Sequence, residues 1–65
     1  MKITLNGAPR EVMATRLSDL LEECGFGDAK VATAVNEDFV PASERRDTTI
    51  SNGDRVEVVA PRQGG

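Results

Sequence analysis

An α+β fold, with a mixed sheet of four to five strands packed on one helix, follows from three features of this 65-residue sequence. Several short segments alternate polar and apolar residues, as half-buried strands do. One stretch, Leu17 to Cys24, repeats its apolar residues at helical spacing. Turn-forming residues punctuate the intervals between these segments.

Lys2 to Asn6 places Ile3 and Leu5 on one face of a strand. Asn6-Gly7 readily takes positive φ and predicts a hairpin turn, and Pro9 is barred from a central ladder. Arg10 to Met13 then reads as the returning strand. Thr15 is the expected helix N-cap, because its hydroxyl would accept from first-turn amides. Leu17, Leu20, Leu21 and Cys24 form one apolar stripe, predicting a helix over 16–24. Gly25 suits the left-handed closing position, and Phe26 folds back on the last turn.

Beyond the loop 27–30, Val31-Ala32-Thr33-Ala34-Val35 is β-branched and apolar, which predicts a strand with little solvent exposure. Asn36-Glu37-Asp38 is a turn, and Phe39-Val40 resumes extended structure until Pro41. The polar run Ala42 to Thr48 predicts a short helical turn, and Thr49-Ile50 a brief edge strand. Ser51-Asn52-Gly53-Asp54 is a turn before the last strand, Arg55 to Ala60, in which Val56 and Val58 share a face. A hairpin followed by a helix with one face to bury calls for a sheet covered on one side. First and last strands run parallel at its centre. This order is the β-grasp, or ubiquitin-like, arrangement: a domain over 1–60 with a C-terminal diglycine tail, expected to be flexible, over 61–65.

Composition narrows the function. There is no histidine and one cysteine, Cys24, so histidine-based acid–base catalysis and an internal disulfide are excluded. No Asp/Glu group has calcium-loop spacing, and no metal site is expected. Formal net charge is −3, only Phe26 and Phe39 are aromatic, and the longest basic run is Arg45-Arg46. Nucleic acid is therefore not an expected partner. No apolar run approaches the roughly 18 residues of a membrane span. Thr4 and Asn6 interrupt the start where a secretion signal would be apolar, so a cytoplasmic location is expected.

The chemistry points to the end of the chain. Pro61-Arg62-Gln63-Gly64-Gly65 would reach at most about 17 Å when extended, and two glycines make the narrowest thread a chain offers. The carboxylate of Gly65 is a poor electrophile until joined to AMP; a sulfur donor would then displace the AMP to leave a thiocarboxylate. No G-x-x-x-x-G-K-[ST] sequence is present, so ATP belongs to another protein and this chain is a substrate and carrier, not an enzyme.

Over essentially its whole length the chain resembles the ThiS family of sulfur carriers. The resemblance rests on Met1 to Gly7, Leu17-Ser18-Asp19-Leu20-Leu21, Val35-Asn36 with Phe39-Val40-Pro41, Asn52 to Val59, and Gly64-Gly65. It implies adenylation of Gly65 by a ThiF-like enzyme using ATP and magnesium. It further implies sulfur from a cysteine desulfurase-type donor, and delivery to a ThiG-like thiazole synthase in thiamine biosynthesis. Only Gly64 and Gly65 carry over from the resemblance as functional residues, Gly65 being the one modified; Arg62 and Gln63, in the same tail, are expected to enter the partner's active site with them. Two positions depart from the family's pattern: Glu37 where glycine is frequent, and Pro61-Arg62-Gln63 where apolar residues are frequent. A MoaD-like carrier of molybdopterin synthesis, or another sulfur-incorporation pathway, is the alternative, as is a ubiquitin-like binding module.

Other residues have plainer readings. Cys24 continues the leucine stripe and belongs to the core. Phe39 is either a docking residue on the sheet or core. Arg45-Arg46 reads as solvated charge, Arg62 as better placed for a partner, and Asp19, Glu22 and Glu23 as the wet face of the helix. Lys2 and Lys30 call for no special role.

Overall fold

In the computed structural model, which describes residues 1–27 and 29–60, one mixed sheet wraps the leucine stripe of a single α-helix. The elements are β1 (Lys2–Leu5), β2 (Ala8–Glu11), α1 (Leu17–Glu23), β3 (Ala32–Val35), β4 (Asp38–Val40), a 3-10 helix (Ala42–Asp47) and β5 (Arg55–Val59). Sheet order is β2-β1-β5-β3-β4, with β1 and β5 parallel and the other pairs antiparallel. This is the predicted β-grasp topology.

The core follows from strand alternation and helical spacing. Ile3, Val40, Val56 and Val58 from the strands meet Leu17, Leu20 and Leu21 of α1, with Val12 and Ile50 filling the ends. Cys24 and Phe26 are partly buried against this cluster, as the stripe predicts. Gly25 has φ +90° and closes α1. Phe26 N–H donates to Leu21 C=O at 2.7 Å and Gly25 N–H to Glu22 C=O at 3.1 Å, the paired bonds of a left-handed helix end.

Several local expectations are corrected. Thr15 does not cap α1: Arg16 holds the N-cap position without a side-chain bond, and α1 starts at Leu17. The Leu17 amide instead donates to the Thr48 carbonyl at 2.9 Å, so a distant backbone group does the work of a local hydroxyl. For the same reason Thr49-Ile50 is not an edge strand of the sheet. Thr49 bridges Arg16, and Ile50 N–H donates to Thr15 C=O at 2.8 Å.

The returning strand of the first hairpin is Ala8–Glu11 rather than 10–13, because the two-residue turn pairs Leu5 directly with Ala8. Pro9 lies within it, opposite Thr4, which an edge strand tolerates. β3 is less enclosed than expected, with Ala32 exposed, because no described element covers that face of the sheet. Glu23 is not merely wet: its carboxylate accepts from the amides of Met13 (3.0 and 3.1 Å) and Ala14 (2.9 Å), tying the end of α1 to the connection that precedes it. Arg45 is likewise half-buried rather than solvated, donating to Thr33 Oγ1 at 3.0 Å and to the Val31 carbonyl. Arg46 is exposed.

Candidate functional site

β5 is the strand from which the chain's last segment departs, and it is held from both sides. β1 lies on one flank and β3 on the other, the latter paired through Ala32 and Val59. Main-chain bonds from Thr4 N–H to Asp54 C=O (3.0 Å) and from Asn6 N–H to Val56 C=O (2.9 Å) join the parallel pair. Beyond them the Asn6 carboxamide engages both backbone groups of Val58. Two turn asparagines thus grip the ends of β5, since Asn36 Oδ1 accepts from the Arg55 amide at 2.9 Å.

Residues 61–65 lie outside the described residues. The expected site positions Arg62, Gln63, Gly64 and Gly65 all fall there, so the structure specifies their root and not their arrangement.

Beside that root lies an open apolar surface. Strand pairing puts Phe39 opposite Ala34 and Val59 opposite Ala32. Alternation then places all four on the face turned away from the core, because Thr33, Val40, Val56 and Val58 point inward and are buried. Phe39 is 69% exposed and Val59 61% exposed. Of the two readings of Phe39, the structure therefore supports the exposed one. Val59 was not among the expected site residues, although the inward pairing of Val56 and Val58 already turned it outward. Glu57 shares this face, opposite Ala34, with Arg55 two residues earlier along the strand. The surface is thus apolar toward β4 and the end of β5, and charged toward the start of β5.

The remaining candidates have less to offer chemically. An open hollow of about 410 Å³ is lined by Ala29, Lys30, Val31, Ala32, Ala42 and Arg45, but its Arg45 guanidinium is already engaged with Thr33 and Val31. Cys24 is a free thiol, partly buried against the core. Among the described residues no group of three or more Cys, Asp or Glu is placed to hold a metal ion, and no helix is long and apolar enough to cross a membrane.

The sequence model of the ThiS family matches residues 3–65. The chain is 41% identical over 63 residues to the sulfur carrier protein ThiS of Thermus thermophilus, covering 97% of this chain and 98% of that one. It is 36% identical over 66 aligned positions to a thiazole synthase of Paramagnetospirillum magneticum, covering all of this chain but only 20% of that longer protein. The crystal structure of the thiamine biosynthesis protein ThiS from Geobacter metallireducens superimposes with a TM-score of 0.86 at 28% identity, over the full length of both chains.

Proposed function

This chain belongs to the ThiS family, and from that premise we propose that it is a sulfur carrier of thiamine biosynthesis whose Gly65 carboxylate is the working group. The carboxylate attacks the α-phosphate of ATP on a ThiF-like enzyme, forming an acyl-adenylate and releasing pyrophosphate. The outer sulfur of a persulfide, supplied through a cysteine desulfurase-type donor, then adds to the acyl carbon and expels AMP. A thiol reductant cleaves the S–S bond of the resulting acyl disulfide, leaving a thiocarboxylate. The chain itself supplies the thread and the docking surface. ATP, magnesium and the catalytic side chains belong to the partner.

The observation that carries this reading is that the family match runs through residue 65. Gly64-Gly65 is therefore within the length the family shares, and does not stand as an appendage to it. The root of the tail supports it physically: β5, the strand before it, lies at the sheet centre and is held on both flanks. The open surface around Phe39 and Val59 lies beside that root, so a partner covering it would receive the tail at the same time.

A thiazole synthase as acceptor is supported by the relative in which a segment similar to this whole chain is one-fifth of a protein of that name. Joining carrier and acceptor in one polypeptide raises the effective concentration of one for the other. That favours the thiazole pathway over a MoaD-like role.

The test is intact-mass spectrometry of the chain after incubation with its activating enzyme, ATP, magnesium and a sulfur source. Exchange of one oxygen for one sulfur at the last residue is expected, and deletion of Gly65 abolishes it while the circular-dichroism spectrum stays unchanged. Absence of exchange, with an enzyme proven active on another carrier, refutes the reading. Full rescue of a deletion strain by the truncated chain would favour a binding module instead.

A further inference from the structure

Main-chain pairing between β1 and β5 reaches its last registered pair at Leu5 and Val56. Asn6 still donates its amide to Val56, then turns away at φ 51° to open the hairpin turn, so its backbone cannot follow β5 further. Its side chain does so in its place. Val58 N–H donates to Asn6 Oδ1 at 2.8 Å, and Asn6 Nδ2 donates to Val58 C=O at 3.1 Å. A carboxamide carries the same donor and acceptor as a peptide group, so it extends the ladder by one rung where the chain itself has left.

We infer that Asn6 is a positioning residue for the carrier reaction: by gripping Val58 it sets the direction and reach with which the tail leaves the sheet. The inference rests on the carrier reading above. Val58 stands seven residues before Gly65. β3 pairs with the other edge of β5, so on the β1 side the Asn6 carboxamide is what engages Val58. A thread rooted at a fixed point delivers its carboxylate to a docked active site at a higher effective concentration than one whose root swings. Removing the carboxamide leaves the N–H and C=O of Val58 to water and loosens that root. The docking surface around Phe39 stays as it was. The rate of the docked complex should fall, and its affinity should not.

Two substitutions isolate the effect because both tolerate positive φ. Asn6→Gly removes the side chain. Asn6→Asp keeps its shape but sets a carboxylate oxygen where the Val58 carbonyl needs a donor. Asn36→Gly is the control, since Asn36 also has positive φ and makes a comparable grip at Arg55, the opposite end of β5.

The experiment measures ATP-dependent pyrophosphate release by the activating enzyme with each full-length chain as substrate, at a temperature where circular dichroism shows all of them folded. For Asn6→Gly and Asn6→Asp, kcat falls about ten-fold while KM stays within about two-fold. Asn36→Gly keeps kcat within about two-fold of the unsubstituted chain although it too loses its side-chain grip. Unchanged kcat in both Asn6 variants, a loss confined to KM, or an equal kcat loss in Asn36→Gly would overturn the inference while leaving the carrier reading intact. If the unsubstituted chain itself releases no pyrophosphate, the carrier reading falls and takes this inference with it.

Discussion

Asn36 and Arg55 form a reciprocal pair across the β3–β5 boundary: Asn36 N–H donates to Arg55 C=O at 2.7 Å, and Arg55 N–H donates to Asn36 Oδ1 at 2.9 Å. Asn36 Nδ2 also donates to Asp54 Oδ1 at 3.1 Å. Asn6 stands in the corresponding place in the other hairpin, also at φ 51°, and grips Val58. Each hairpin thus ends in a two-residue turn whose first residue is an asparagine reaching for β5. The left-handed backbone that closes the turn also swings the carboxamide toward the neighbouring strand, so turn chemistry and sheet cohesion share one residue.

The second residue of each turn differs in cost. Gly7 takes φ 86° freely, whereas Glu37 is held at φ 75°. A residue with a Cβ pays about 1–2 kcal/mol in the left-handed region, more than the roughly 0.5–1 kcal/mol of unfolded-state freedom glycine brings. The Glu37–Arg55 ion pair, at 3.4 Å between largely exposed side chains, offsets little of this. Glu37→Gly is expected to raise the thermal midpoint by about 2–4 °C, and Glu37→Gln to leave it nearly unchanged. A lower midpoint for Glu37→Gly in a calorimetric scan would contradict the strain at this turn.

Gly25 and Gly27 separate backbone strain from crowding. A Cβ on Gly25 would meet nothing within 4 Å, yet its φ is +90°. Gly25→Ala should therefore cost about 1–2 kcal/mol in urea denaturation through conformation alone. A Cβ on Gly27 would come within 2.8 Å of a Glu22 carboxylate oxygen, the far end of a flexible side chain. Gly27→Ala should stay within about 0.5 kcal/mol of the parent chain. The reverse ranking would mean that packing, not φ, governs the end of α1.

The sequence was most legible where a pattern is local. The leucine stripe, Gly25 at the helix end and Asn6-Gly7 as a turn each need only their neighbours, and the element order then selects the topology. Local patterns failed where the partner is distant. The Leu17 amide is satisfied by Thr48, so no Thr15 cap is needed, and Thr49 finds Arg16 instead of the sheet. Glu23 looks like surface charge until the backbone before α1 folds over it. Phe39-Val40 is a pair of adjacent apolar residues, and only the register with β3 decides which of them faces out. At the site, the diglycine is visible as two residues in the sequence, whereas the Asn6 grip on Val58 is not, because it joins residues at opposite ends of the chain.

Thr33 is the buried polar residue among the strands, 1% exposed. Its hydroxyl donates to the Val40 carbonyl at 2.7 Å and accepts from Arg45 Nε at 3.0 Å, linking β3, β4 and the 3-10 helix. Thr33→Val keeps the shape but strands a carbonyl and a guanidinium N–H, at a cost of about 1–3 kcal/mol in urea denaturation. Arg45→Lys should recover part of the tie and cost less, because an ammonium still reaches a carbonyl but cannot fork between two acceptors. A neutral Thr33→Val would show that water replaces both bonds.

Phe39 tests the proposed docking surface independently of the tail's root. At 69% exposure it contributes little to folding, so Phe39→Ala should change stability by no more than about 0.5 kcal/mol. An aromatic ring that becomes buried in a partner contributes far more to binding than its neighbours do. With the activating enzyme, Phe39→Ala is expected to raise KM about ten-fold and leave kcat within about two-fold, the mirror of the Asn6 variants. Phe39→Asp should raise it further by setting a carboxylate against an apolar contact. If both variants kept the parent KM, the activating enzyme would have to approach another face of the sheet. The position of Phe39 and Val59 beside the tail's root would then have no part in presenting Gly65 to it.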